Sequence, residues 1–300
     1  MKKILILAAA MLLTINVFAE VIPASDSRVV YVGRTQVVGA AVSFDWTATY
    51  FRIAFSGESL TMKASETKWD ADADKAATRH NYYNIWIDSP TSAEPHRIIE
   101  VAGNDTVIEL IDPMYLKKSR RAVHEVIVQK RTEGEQGKTT IHEFATDKKG
   151  KFFQAEPLKV RQLEFIGDSY TCGYGIDAKS RLERFSPETE NASRSYASIV
   201  SRYFGADYVA IAHSGMGIAR NYNSKFKGWW MPDRYLQTFD EDSTQVTRWD
   251  ATKSDFHPAM TIVYLGANDF STALAPRYED FRKHYYRLFK YIKANYGEDH

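Results

Sequence analysis

Gly167-Asp168-Ser169 follows the apolar run Leu163-Glu164-Phe165-Ile166 and opens a Gly-rich stretch, Tyr170-Thr171-Cys172-Gly173-Tyr174-Gly175. A short buried strand that ends in glycine and then presents a serine in a tight turn holds a nucleophilic hydroxyl at the carboxyl edge of a sheet. The chemistry open to such a serine is acyl transfer, which needs N–H donors aimed at the oxygen that becomes negative. Two later stretches carry suitable donors. In Ser214-Gly215-Met216-Gly217 the backbone N–H of Gly215 is unobstructed by a side chain, and in Gly266-Ala267-Asn268-Asp269 the side-chain amide of Asn268 is available. The predicted constellation is therefore Ser169 as nucleophile, with Gly215, Asn268 and the Ser169 backbone N–H as oxyanion donors.

Asp168 and Asp269 flank this site, where fixing the turns is a simpler role for them than acid–base work. Arg220, Asn221 and Tyr222 follow the Gly215 turn and are placed to form a polar wall of a substrate pocket. Tyr222, Trp229 and Trp230 are the substrate-contact candidates, with Trp249 beyond them, because exposed aromatic faces stack on C–H-rich rings. Core packing is the competing reading of each tryptophan. Cys172, the single cysteine, reads as small packing and can form no internal disulfide.

Each motif needs a strand to deliver it. Val160–Ile166, Asp207–Ala212 and Thr261–Leu265 read as strands, Ser195–Phe204 as a helix, and Tyr278, Phe281, Tyr285, Leu288 and Ile292 recur at helical spacing up to Gly297. Strands alternating with helices predict a doubly wound α/β/α domain over residues 157–300, in which the carboxyl ends of parallel strands converge on one crevice. Residues 20–150 differ. Period-two alternation recurs at Phe51, Ile53 and Phe55, at Tyr83, Ile85 and Ile87, and at His124, Val126 and Val128, with turns between short runs. This pattern predicts an all-β sandwich of the jelly-roll kind. Asp147-Lys148-Lys149-Gly150-Lys151 reads as the linker, and Asp70 to Lys75 as a solvated loop.

The 300 residues carry a formal net charge of +1, which argues against a nucleic-acid partner. Met1-Lys2-Lys3, the apolar run Ile4 to Leu13 and Val17-Phe18-Ala19 read as a secretory signal over residues 1–19, predicting a secreted or periplasmic protein with no membrane span in the mature chain. No histidine, cysteine or acidic spacing points to a metal, and no cofactor is expected.

The second half resembles the SGNH hydrolase superfamily at Gly167-Asp168-Ser169, Gly215 and Gly266-Ala267-Asn268-Asp269. The whole is more similar still to carbohydrate esterase family 2, in which a jelly-roll domain precedes a flavodoxin-like SGNH domain. His124 to Glu133, Ile166 to Gly175, Ser214 to Tyr222 and Leu265 to Asp269 carry that likeness. It implies removal of acetyl groups from plant-type polysaccharides such as acetylated xylan or glucomannan. It also implies a general-base histidine in a later DxxH-like block, which this sequence does not contain. Asp299-His300 is not that motif, so the base is expected to be absent and residues 20–300 nearly inactive by themselves, as in a fragment that lacks its last strand and helix. Two other readings are an SGNH esterase on lipid or peptidoglycan acetyl groups, and a non-catalytic carbohydrate-binding protein.

Overall fold

The computed structural model describes residues 19–300 except 70–72, 226–227, 243, 245 and 273. The signal read over residues 1–19 thus lies outside the described residues, Ala19 apart. In chain order the first half forms β1 (Val21–Pro23), β2 (Val30–Val32), β3 (Gln36–Val38), β4 (Ala41–Phe44), β5 (Tyr50–Phe55) and β6 (Leu60–Thr67). It continues with α1 (Ala73–Ala76), β7 (Asn81–Ile87), β8 (Arg97–Val101), β9 (Thr106–Glu109), α2 (Pro113–Lys118), β10 (His124–Lys130), β11 (Lys138–Thr146) and β12 (Phe152–Phe153). Two antiparallel sheets result, one ordered β3-β4-β11-β6-β9 with β1 on β11, the other β12-β5-β10-β7-β8 with β2 on β5. Phe44, Phe51, Ile53, Phe55, Val126, Val128, Ile141 and Phe144 fill the space between them.

β5 is buried along its whole length, and nearly all of β7 is too, so burial does not follow the alternation of the sequence where both faces of a sheet are covered. The outer face of the second sheet packs on the C-terminal half. Val32, Trp46, Ala48 and Tyr50 of the sandwich share one apolar core with Phe165, Ile166, Ile211, Ile218 and Leu288. Polar contacts close the same seam. Tyr50 Oη donates to Asp207 Oδ1 at 2.8 Å and Arg52 pairs with the same carboxylate. Asn84 Nδ2 donates to Asn191 Oδ1 and Ser193 Oγ at 3.0 Å each.

The linker expected at Asp147–Lys151 is instead a turn inside the sandwich. Gly150 N–H donates to Asp147 O, and the chain re-enters the second sheet as β12 against β5. A strand of two residues is too short to show a period. Of the loop expected at Asp70–Lys75, residues 73–75 belong to α1, while 70–72 lie outside the described residues.

The second half contains β13 (Gln162–Gly167), α3 (Ser169–Cys172), α4 (Tyr196–Tyr203), β14 (Asp207–Ala212), α5 (Met231–Arg234), β15 (Met260–Tyr264) and α6 (Tyr278–Tyr296). The strands are parallel, in the order β14-β13-β15. Helices cover both faces. On β13, Phe165 meets Tyr196 of α4 edge-on at 5.8 Å, whereas its neighbour Glu164 accepts from Tyr296 of α6 at 2.9 Å, and successive strand residues face opposite ways. Among the described residues no helix is long and apolar enough to cross a membrane.

Candidate active site

The three loops leaving β13, β14 and β15 meet at the carboxyl edge of the sheet. Asp168 caps α3, its side chain accepting from Tyr170 N at 3.1 Å, so Ser169 becomes the first residue of a one-turn helix. Gly167 allows this reversal, since a Cβ there would lie 1.9 Å from Thr171 Oγ1. Ser169 is half-buried and lines a cavity of about 610 Å³ together with Asp168, Tyr170, Tyr174, Tyr222, Asn268 and Ser271. A larger cavity of about 1120 Å³ lies on the domain seam by Gln162, at the amino end of β13, and is lined by Trp249 and none of the nucleophile or donor candidates.

Gly215 sits in the left-handed region, with φ +79°, a conformation costly for a residue with a Cβ. Its carbonyl accepts from Tyr222 N at 2.8 Å, and the next carbonyl, Met216 O, accepts from Asn268 Nδ2 at 2.8 Å. The turn thus touches two residues that line the cavity. Among the described residues neither the Ser169 nor the Gly215 backbone N–H has an acceptor within the protein. Asn268 differs. Its amide nitrogen donates to Asp168 Oδ2 at 3.0 Å as well as to Met216 O, so both hydrogens are committed in this state. Its contribution to an oxyanion requires that one of these bonds be exchanged.

Asp168 and Asp269 build turns, as their positions in the sequence lead one to expect. Asp269, fully buried, accepts from the N–H groups of Ile218, Ala219 and Arg220 at 2.9, 2.8 and 2.9 Å. Burial pushes Asp168 up to about 6 against the opposing N–H of Tyr170, with the charges of Asp269 and Glu133 adding to the rise.

The aromatic wall is not the one expected. Tyr222 lines the cavity and is 60% exposed. Trp229 lies instead under the Arg234 guanidinium at 4.5 Å, and Trp230 meets His284 of α6 edge-on at 4.6 Å, so neither is part of the lining. Tyr170 and Tyr174 take that place. Both are exposed, and the Tyr174 ring is stacked on Phe185 at 3.7 Å. Their signal was present in the sequence, at one and five positions after the nucleophile.

None of the described histidines lines this cavity. His300 bonds Thr261 Oγ1 at 2.8 Å. Thr261 pairs with Glu164, three residues below Gly167 and therefore about 10 Å from the carboxyl edge. His213 directly follows β14 but is buried, its Nδ1 2.7 Å from Asp240 Oδ2. Burial and the Arg234 charge pull this imidazole down. Asp240 and Glu133 outweigh them and hold it at about 9. His213, Asp240 and Glu241 could in geometry share a cation, but Arg234 already occupies Asp240 and Glu241 at 2.6 and 2.8 Å.

A pH dependence follows. Since the folded-state value lies above 6.5, the stabilisation from protonated His213 is complete below pH 6.5 and is lost as pH rises toward 9. The full change amounts to roughly 3 kcal/mol at most. Urea unfolding of wild type and His213→Gln is expected to give a stability difference that shrinks across this window. A difference that stays constant from pH 6 to 9.5 would refute the assignment.

The chain belongs to the family-two carbohydrate esterases: residues 31–155 match the carbohydrate esterase 2 N-terminal family and residues 163–298 the GDSL-like lipase/acylhydrolase family. It is 31% identical over 215 residues to a cellulase/esterase of Acetivibrio thermocellus, covering 72% of this chain and 25% of that protein. It is 29% identical over 267 residues to an acetylxylan esterase / glucomannan deacetylase of Cellvibrio japonicus, covering 84% and 65%. The chain therefore spans less than two thirds of either relative. Among solved structures, a family two carbohydrate esterase from Clostridium thermocellum in complex with cellohexaose superposes with a TM-score of 0.76 at 28% identity, over 89% of this chain and 74% of that one.

Proposed function

We propose that this chain is a secreted carbohydrate esterase that removes O-acetyl groups from plant-type polysaccharides, xylan and glucomannan among them, through an acyl-enzyme on Ser169. The observation that carries this reading is the pair of uncommitted N–H groups, on Ser169 and on Gly215, beside a cavity that opens at the carboxyl edge of the sheet. Ser169 Oγ attacks the acetyl carbonyl, and the two N–H groups stabilise the oxyanion. The bond to the sugar oxygen then breaks, the sugar hydroxyl leaves with a proton, and water frees acetate from the serine. The exposed rings of Tyr170, Tyr174 and Tyr222 suit stacking on a saccharide at the rim. Family membership and the acetylxylan esterase relatives support the substrate class. The sandwich, whose strands pass back and forth between two sheets, fits the jelly roll of that family. Export rests on the lysines and apolar run of residues 1–19.

With none of the described histidines at the cavity, release is expected to be slow, on the order of a thousandfold below that of a site with a positioned base. The test compares acetate release from acetylated xylan, acetylated glucomannan, acetylated peptidoglycan and a lipid ester. Preference for the two plant polysaccharides is expected, and preference for either of the others would overturn the substrate class. A reading as a carbohydrate-binding protein is favoured by the same lack of a histidine and by the cellohexaose complex of the structural relative. It predicts binding of both polysaccharides with no release from either.

A further inference from the structure

We propose that Glu133, a residue of the sandwich, positions the Ser214–Gly215 turn of the hydrolase half, so that the N-terminal domain holds part of the oxyanion site in place. Its consequence for rate rests on the acyl-transfer reading above, but its consequence for the turn does not. Glu133 lies three residues past the end of β10 and is fully buried. One carboxylate oxygen, Oε2, accepts the Ser214 N–H at 2.6 Å and the Cys172 thiol at 3.8 Å. A single atom of the sandwich therefore touches the residue before Gly215 and the last residue of the helix that Ser169 begins.

The carboxylate can act as a reference point because its own backbone is fixed on both sides of the seam. Glu133 N–H donates to Glu190 Oε2 at 3.2 Å, and Glu133 O accepts from Lys130 Nζ at 2.9 Å. Arg131 O accepts the Ala192 N–H at 3.0 Å. At the next residue, Gly134, a Cβ would stand 2.5 Å from Asp240 Cβ, so the strand exit is pressed directly on the hydrolase half. Burial, and the charge of Glu133 beside it, push Glu190 well above the usual carboxylate range.

A buried carboxylate is costly where an apolar side chain would pack, and it persists where a specific donor must be held. The donor here is a turn whose other side faces the cavity. Ser214 and Gly215 are only half-buried, so packing alone leaves the turn weakly fixed, and the charge-assisted bond from Glu133 supplies the constraint. This accounts for a segment, His124 to Glu133, that belongs to the sandwich and yet ends at the catalytic turn.

The experiment uses Glu133→Ala, Glu133→Gln and Glu133→Asp. Gln keeps an acceptor at the same reach, whereas Asp keeps the charge and withdraws it by one methylene. Amide hydrogen exchange is read at Ser214, with Ala192 and Asp240, which are bonded across the seam to Arg131 O and Asp45 Oδ1, as references for domain docking. Exchange at Ser214 is expected to quicken about tenfold or more in Ala and Asp while the references hold, and to stay near wild type in Gln. On acetylated xylan, kcat is expected to fall about a hundredfold in Ala with KM within a few-fold, and Gln to recover most of it. Unchanged Ser214 exchange in Ala or Asp overturns the proposal, as does equal quickening at all three amides, which would mean docking alone. If Ala does not fold, Asp decides. If wild type releases no acetate, the esterase reading fails while the exchange result still decides this one.

Discussion

Ser169→Ala is expected to carry no acetyl group after exposure to an activated acetyl ester, and to gain no acetate release from added imidazole, where wild type does both. A serine hydroxyl is a weak nucleophile until a base takes its proton, and none of the described histidines lines the cavity around Ser169. The donors for the developing oxyanion are nevertheless free, at the N–H of Ser169 and of Gly215. A site with its donors in place and no described histidine beside the nucleophile is one that a diffusible base can serve. Imidazole is therefore expected to raise wild-type release by about tenfold or more over the variant's background, short of the ~10²–10⁴ that a positioned base contributes. Mass spectrometry of the peptide containing residue 169 gives the adduct directly. An adduct on another residue, or equal response to imidazole in the variant, would remove Ser169 from the reaction.

How far this site could be read from the sequence depended on which contacts were local. Ser169, Gly215 and Asn268 each follow a strand visible as an apolar run, and a parallel sheet brings strand ends together without further information. Asp168 was legible for the same reason, since an aspartate within a tight turn tends to bond its own neighbours, whereas Asp269 bonds Ile218, Ala219 and Arg220 from a distant loop. What a side chain donates to was not legible. Asn268 has the right group at the right edge, yet its two hydrogens go to Asp168 and Met216, a choice made by residues 100 and 52 positions away. Likewise Trp229 and Trp230 read as platforms because an exposed ring and a ring covered by Arg234 or His284 look the same in one dimension.

The fold divides along the same line. The alternation at Phe51, Ile53 and Phe55 locates β5, yet burial alternates only where one face is wet, as in β6 and β11, and not in β5, whose second face the hydrolase half covers. Strands of two or three residues, β1, β3 and β12, leave no period to find, and β12 turned a supposed linker into part of a sheet. The seam itself is long-range throughout. Tyr50 and Arg52 are ordinary strand residues until Asp207 is placed against them, and Glu133 is an ordinary charged residue past a strand until Ser214 is.

Asp269→Ala is expected to destabilise the protein by about 3–6 kcal/mol, since it leaves three buried N–H groups unpaired at ~1–3 kcal/mol each, partly relieved by water or local shifts. The Asp269 carboxylate is the hub of the loop that follows Gly215. Oδ1 accepts from Ala219 and Arg220 and Oδ2 from Ile218, all within 2.9 Å, while the Asp269 carbonyl accepts from Arg220 Nη1 at 2.9 Å. Asp269→Asn keeps one acceptor oxygen but turns an amide N–H₂ toward donors, so it is expected to lose a comparable part of that stability rather than to rescue it. Urea unfolding measures both. The second consequence is local, because the loop joins Gly215 to Tyr222, whose N–H is held by Gly215 O. At a temperature where Asp269→Ala is still folded, exchange at Tyr222 is expected to rise, together with loss of the imidazole response described for wild type. A stability loss below about 1 kcal/mol would mean that the three N–H groups find other partners, and that Asp269 is not what organises the oxyanion side of the site.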